Sequence, residues 1–505
     1  MFGPCVSART VVWRRDDHSV ALGLTRLTSV REPFYFGLCE RLFQLQAIFI
    51  QTHRPLLAMY ADRAIRIAWP HYGGALAEER QHFDDPHPKR ALRREAFFRM
   101  CRSGEGIYGN RLRLGRVELS LKVEVAKWGK VPRCVADLGV DASMIGAWLA
   151  NAMKITMHDF PYDTPQLFMW YCPTASYQNL LRAFGILQYP RSTWTVVLFS
   201  DDACLAYYDG STVVYYDLDI SSCDKSHGLV LFELLYLWVP QHLHVELTFL
   251  LEQLQGKLRV RSVANRRSFV DLLPRQPVLY SGSVLTTVVN NLAVMLIGIA
   301  ISQSPGATVA LIQQAAQRAG YLVTVKQHTK FEELQFLKHS PVRDVHGNYQ
   351  PVLNLGVFLR ACGLIVGDLP GRGPIGPRAA AAVHALCLCS YPGTHFPLIE
   401  ELKSRFPRDT LIEQEVVAQY YLDHPERNSN WPTLHFTDAA MRERYSLPGW
   451  PFVELFFHKA PLFSMVSGPD IDHIMAFDYD LPSARSLVDE PPTSAELGVL
   501  GGKYY

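Results

Sequence analysis

The chain has 505 residues, 48% of them hydrophobic and 19% charged, which supplies a large core and excludes a disordered polyelectrolyte. Its net charge of +2 neither demands nor excludes nucleic acid, but the charge is uneven: residues 89–133 hold thirteen Lys or Arg against four acids, or +9. A second basic run holds Lys257, Arg259, Arg261, Arg266 and Arg267, so the chain fits a polyanion bound in one channel, although charge clusters alone are equally the mark of a solvated face.

In chain order, the first residues show no apolar core of signal-peptide length, and residues up to 190 mix helical patterns with basic loops. From Trp194 the character changes. Thr195 to Phe199 is an apolar, β-rich run, Ser200-Asp201-Asp202 interrupts it, and Ala203 to Tyr208 resumes it, which is a hairpin pattern with an acidic turn. Asp209-Gly210 is a second turn signal, and Val213 to Ile220 reads as a third strand. Three strands joined by two tight turns predict one antiparallel sheet. A helical pattern covers Gly228 to about Leu254, an apolar helix covers Val284 to Ile301, and another covers Thr308 to Ala319 with Gly320 as its cap. Tyr321 to Lys326 and Leu334 to Lys338 read as short strands, and residues 367–377 as a Gly- and Pro-rich loop. The longest apolar run, Leu292 to Ile301, is too short to span a bilayer. The ten cysteines lack zinc or disulfide spacing and read as free thiols, so the expectation is a soluble intracellular chain.

Nucleotidyl transfer uses two divalent ions about 4 Å apart, held by carboxylates that neighbouring strands bring together. Asp201-Asp202 at a hairpin tip and Asp219 at the end of the third strand offer such carboxylates, and hard oxygen donors suit magnesium or manganese. Two adjacent Asp at a turn carry little weight alone. The stretch Asp219-Ile-Ser-Ser-Cys-Asp224-Lys-Ser-His is sharper. It resembles motif A of viral RNA-dependent RNA polymerases, in which four residues separate two Asp before a polar run. Ser281-Gly282-x-x-x-Thr286-x-x-x-Asn290 resembles motif B, a Gly-containing loop that opens a helix. Thr286 and Asn290 fall one helical turn apart on the same face. Lys122-Val-Glu124 with Lys130-Val-Pro-Arg133 resembles the basic motif F, Gly320 to Lys326 resembles motif D, and Leu334 to Lys338 resembles motif E.

Ser200-Asp201-Asp202 then takes the place of motif C, with Ser where many relatives have Gly. It precedes motif A, and the later acidic candidates, Asp368 and Asp478-Tyr-Asp480, are poorly placed to join the sheet. The order F, C, A, B, D, E resembles the permuted palms of birnaviruses and permutotetraviruses. The implied fold is α+β, a right-hand polymerase of fingers, palm and thumb with an antiparallel palm sheet and C-A-B connectivity. Residues 1–190 are assigned to an N-terminal region and fingers with motif F at 122–133, and 191–228 to the palm with motifs C and A. Residues 229–276 form a fingers insertion, 277–345 the palm with motifs B, D and E, and 346–505 the thumb and C-terminal region.

By the resemblance, the activity is template-directed RNA synthesis by two-metal nucleotidyl transfer, replicating and transcribing an RNA genome. Asp201, Asp202 and Asp219 hold two magnesium or manganese ions. Lys326 is the general acid to pyrophosphate, with Lys330 as its rival. Asp224, Ser281, Gly282, Thr286 and Asn290 select the ribonucleotide and place the template. Lys122, Lys130 and Arg133 hold the triphosphate. The implied partners are RNA template and product, ribonucleoside triphosphates and other viral replication proteins, with no transmembrane segment. The implied location is the host-cell cytoplasm, free or within a virion or a membrane-associated replication complex. Two alternatives stay open: a reverse transcriptase, and a catalytically inactive polymerase-like RNA-binding subunit. Asp224 with Asn290 argues against the first, and retention of three palm Asp against the second.

Overall fold

The computed structural model describes residues 34–35, 37–49, 115–121, 134–261, 268–357, 438–447, 454–457, 464–467, 473–474 and 476–478. Motif F at 122–133, with Lys122, Lys130 and Arg133, lies outside the described residues, as do Asp368 and the loop at 367–377. The described part is mixed α and β.

A small sheet is built first, from β1 (Val117–Leu121) and β2 (Cys134–Asp137). Helix α1 (Val140–Asp159) leads into the large sheet through β3 (Tyr162–Asp163) and β4 (Leu167–Tyr171). Helix α2 (Tyr177–Gln188) is opened by Ser176, whose side chain accepts the Asn179 N–H. Then come β5 (Trp194–Phe199), β6 (Asp202–Tyr208) and β7 (Val213–Ile220), the three strands that the two turn signals predict. Asp209 makes the second turn rigid: its carboxylate accepts bonds from the N–H and hydroxyl groups of both Ser211 and Thr212, and these hold its pKa well below the usual range.

The sequence pattern of one helix over Gly228 to Leu254 is corrected. The chain forms α3 (Cys223–Ser226), α4 (Leu229–Trp238), a single 3₁₀ turn, and α5 (His244–Leu254). Pro240 is the cause. It has no N–H to donate and pushes Val239 into extended geometry, at φ −78° and ψ 130°. Strands β8 (Leu258–Arg261) and β9 (Phe269–Leu272) return to the small sheet, whose order is β2-β1-β8-β9.

Helix α6 (Thr286–Ser302) is buried on every side from Val288 to Ile301, and it contacts β4 and β5. Helix α7 (Val309–Arg318), capped by Thr308, leads through Gly320 into β10 (Val323–His328). Strand β10 closes the large sheet, whose order is β10-β7-β6-β5-β4-β3. The expected strand at 334–338 is absent. Leu337 and Lys338 both take left-handed backbone (φ 51° and 65°), making a tight turn bridged from Phe336 to His339. The strand there is β11 (His339–Arg343), paired with β12 (Tyr349–Leu353).

The alternation of side chains decides what each face of the large sheet does. Val196, Leu198, Leu205, Tyr216 and Leu218 join α6 in the main core. The cross-strand partners Val197–Cys204–Asp217 and Asp202–Asp219 alternate with these residues and fall on the other face, while Phe199 at the end of β5 still packs against the core. Helix α2 contacts β5 and β6 through its buried Leu180, Ala183, Phe184 and Leu187. The acidic residues therefore lie on the sheet face that α6 does not cover.

Candidate active site

Strands β5 and β6 are joined by a two-residue turn, since Phe199 pairs directly with Asp202. Ser200 holds φ 58°, the left-handed region in which glycine is favoured. A side chain at this position is strained, and two hydrogen bonds tie the turn to α6. The Ser200 N–H donates to Asn291 Oδ1 at 2.6 Å, and the Ser200 Oγ accepts from Asn290 Nδ2 at 3.1 Å. Two consecutive Asn of α6 thus hold the acidic turn.

Asp202 and Asp219 are directly opposed partners on neighbouring antiparallel strands, so their side chains share one face. Asp219 is exposed. Asp202 accepts the Leu337 N–H at 3.0 Å. Burial is the main cause that raises its carboxyl to about 7; Lys338 and the Leu337 N–H act against the rise, and the nearby Asp217 and Asp201 add to it. The buried Cys223 thiol is raised by burial and then by the carboxylates of Asp201, Asp224 and Asp219, which gather around it. Asp201, Asp202, Asp219 and Asp224 therefore come to one end of the sheet.

Motif A continues through a sharp turn with Ser222 in left-handed geometry, and this turn carries Asp224 back toward α6. There its two oxygens are both engaged. Oδ1 accepts from Asn290 Nδ2 at 2.9 Å and Oδ2 accepts from Ser281 Oγ at 2.5 Å. Behind Asn290 stands His227, whose Nε2 is 2.8 Å from Asn290 Oδ1 and whose Nδ1 is 3.1 Å from the Tyr321 hydroxyl. Burial lowers the His227 pKa to about 4, with Asn290 and Asp224 acting the other way.

Gly282 and Thr286 serve the backbone of their own loop. Gly282 has φ 100°, and a Cβ there would sit 2.8 Å from the Ala136 carbonyl of β2. The adjoining Ser281 carbonyl accepts the Ala136 N–H at 2.9 Å. The glycine thus lets the motif B loop lie against β2. Thr286 donates its hydroxyl to the Tyr280 carbonyl at 2.9 Å and so closes the same loop. Lys326 sits opposite Asp217, one alternate position along the strand from Thr324, which is opposite Asp219. Its ammonium lies 4.5 Å from the centre of the Phe477 ring. Asp478, an acidic candidate in sequence, is buried and takes bonds from Gly356, Tyr445 and Gln335 beside Arg444. It clamps the segment after β10 and has no place among the motif C and A carboxylates.

Sequence reasoning passed over Asn291, His227 and Lys338. The first two lay in motifs already quoted, next to Asn290 and at the end of the motif A run. Lys338 closed the run likened to motif E, but that run was read as a strand, and the turn that brings Lys338 near Asp202 depends on two left-handed residues.

The donor type suits a hard divalent cation, since Asp201, Asp202 and Asp219 offer carboxylate oxygens at one end of the sheet. Among the described residues, no group of three or more His, Cys, Asp or Glu is gathered tightly enough to hold an ion. Among them, too, no helix is long and apolar enough to cross a membrane.

No protein-family model and no curated protein matches this sequence. Solved structures are similar to it. The birnavirus VP1–VP3 complex aligns over 69% of this chain and 52% of that one, with a TM-score of 0.42 and 10% identity. The RNA polymerase VP1 of Infectious Pancreatic Necrosis Virus aligns over 75% of this chain and 52% of that one, with a TM-score of 0.39 and 11% identity. The alignments span about half the length of those two chains.

Proposed function

We propose that this chain is a viral RNA-directed RNA polymerase whose palm motifs run in the order C, A, B, with Ser200-Asp201-Asp202 ahead of Asp219. The observation that carries the reading is the register of β6 on β7. It sets Asp202 opposite Asp219 at the sheet end where the Asp224–Asn290–Ser281 network also lies.

Each group has a task under this reading. Asp201, Asp202 and Asp219 would hold two magnesium or manganese ions, which when bound lower the pKa of the attacking hydroxyl and offset charge on the phosphates. Asp224, partly exposed and locked in place by the buried Asn290 and by Ser281, would present a fixed polar edge to the sugar. The 2′-hydroxyl both donates and accepts, so such an edge distinguishes ribonucleotides from deoxyribonucleotides. Lys326 would donate a proton to pyrophosphate only after leaving the Phe477 ring. Lys338, turned toward Asp202, is the basic group that the palm adds beside the carboxylates. Lys122, Lys130 and Arg133 would neutralise the triphosphate.

Extension of a primed RNA template with labelled ribo- and deoxyribonucleotides in magnesium or manganese tests the reading. Templated ribonucleotide incorporation that Asp219→Asn removes is the expected result. RNA binding without incorporation would identify a binding subunit instead, and preferred incorporation of deoxyribonucleotides would identify a reverse transcriptase.

A further inference from the structure

The hydrogen bonds around Asn290 fix which way its amide faces. Asp224 accepts only, so the atom turned toward it is Nδ2, and the second Nδ2 hydrogen goes to Ser200 Oγ. Oδ1 therefore faces His227 Nε2 at 2.8 Å and must accept from it. The His227 ring then carries its proton on Nε2, and Nδ1 accepts from the Tyr321 hydroxyl at 3.1 Å. All of these bonds are enclosed, with His227 3% exposed, Asn290 1% and Tyr321 1%. A histidine left neutral by burial and tied at both nitrogens is a fixed donor.

We propose that His227 is a positioning residue for sugar selection, holding the Asn290 amide so that its nitrogen faces both Asp224 and the Ser-Asp-Asp turn. The proposal rests on the polymerase reading. Without the His227 bond, Asn290 Oδ1 has no donor and the amide is free to rotate. The Asp224 carboxylate then loses the partner that sets its angle, and the turn bearing Asp201 loses its tie to motif A. Sequence distance hides this relay: Tyr321 is 94 residues from His227, and Asn290 is 63. The nearby Cys223 thiol, 4.0 Å from His227 Nε2, is too far and too weak a partner to replace Asn290.

Three variants and one spectrum test it. The ratio of kcat/KM for a ribonucleotide to that for its deoxy counterpart is expected to fall about tenfold in His227→Leu, the scale of one well-made hydrogen bond. His227→Gln, whose amide can still donate to Asn290, is expected to recover most of the ratio. A folded His227→Leu with an unchanged ratio, or a Gln variant no better than Leu, overturns the proposal. If His227→Leu fails to fold, Tyr321→Phe carries the test, with an expected loss of about threefold; an unchanged ratio there overturns it too. Selectively ¹⁵N-labelled histidine should show the Nε2–H tautomer for His227, and an Nδ1–H tautomer would refute the hydrogen-bond assignment. If the unaltered chain incorporates neither nucleotide, the polymerase reading falls and the selection role falls with it, while the spectrum still judges the orientation of Asn290.

Discussion

Two rungs of the same pair of strands, side by side on one sheet face, have opposite characters. At the end of β6 and β7, Asp202 faces Asp219 beside an acidic turn, and Asp219 is exposed. One rung inward, Cys204 faces Asp217, and that carboxylate is enclosed by donors. His328 Nε2 lies 2.7 Å from Asp217 Oδ2, while Oδ1 accepts from the Gln335 N–H and the Cys204 thiol, both at 3.3 Å. The contrast separates two uses of aspartate. At Asp217 protein donors meet both oxygens and tie β6, β10 and the segment after β10 together, whereas Asp201, Asp202 and Asp219 stand together at the sheet end, where burial above all, and then the nearby acids, disfavour a second negative charge that a cation would offset.

The largest expected effect breaks the comparison at its centre. Asp219→Asn should lower RNA synthesis by about a thousandfold or more with the thermal midpoint nearly unchanged. Asp217→Asn should instead cost about 1–3 kcal/mol of stability and leave the activity of the folded molecules within about threefold. Thermal melts paired with incorporation rates read both. Equal losses of activity in the two variants would show that the two rungs are not distinct.

How far this contrast was legible in the sequence follows from chain distance. The Ser-Asp-Asp and Asp-Gly turns lie within the segment they fold, so strands β5 to β7 could be read directly, whereas the register that sets Asp202 opposite Asp219 could not. The apolar run of α6 and the Ser281-Gly282 loop were equally local. The closed rung could not be read, because His328 is 111 residues and Gln335 118 residues from Asp217. Pro240 was in plain view, but the apolar periodicity on both sides hid its effect. The turn at Leu337 and Lys338 gave no signal at all, since neither residue favours left-handed backbone.

The next effect approaches the closed rung from outside. Gln335, which caps Asp217 through its backbone, is itself held by its side chain to Asp478 at 3.0 Å. Burial raises the Asp478 pKa, and Arg444 acts against that rise. Asp478→Ala leaves the buried Arg444 without this carboxylate, and breaking a buried pair of this kind costs about 3–5 kcal/mol. Chemical denaturation should show that loss, and hydrogen exchange should show faster opening at residues 331–343 than in β6.

A smaller effect tests the support of the open end by pH. Burial lowers the His227 pKa to about 4, from an ordinary value of 6.5. Between those values the unfolded chain binds the proton and the folded chain does not. The contribution of His227 is therefore fully present above about pH 6.5 and is lost as pH falls toward 4, by about 3 kcal/mol at most. Other carboxylates titrate in the same window, so the measurement is the difference in unfolding free energy between the unaltered chain and His227→Gln. That difference should grow with pH from 4 to 6.5 and then stay level; a flat difference would mean that His227 titrates alike in both states.

The smallest expected effect lies at the Ser200 turn and turns on opposing terms. Ser200 occupies left-handed backbone, which costs a non-glycine residue about 1 kcal/mol. Its Oγ receives one hydrogen of Asn290 Nδ2, a bond worth about 1 kcal/mol. Ser200→Ala keeps the strain and loses the bond, so it should be destabilised by about 1 kcal/mol. Ser200→Gly loses the same bond but removes the strain, against a somewhat larger entropy loss on folding, so its stability should stay within about 0.5 kcal/mol of the unaltered chain. In both variants the Ser200 N–H still donates to Asn291, so the turn itself should persist. Unfolding free energies of the three proteins decide the matter. A glycine variant clearly less stable than the alanine one would mean that the backbone at Ser200 is not strained and that the hydroxyl alone explains the residue.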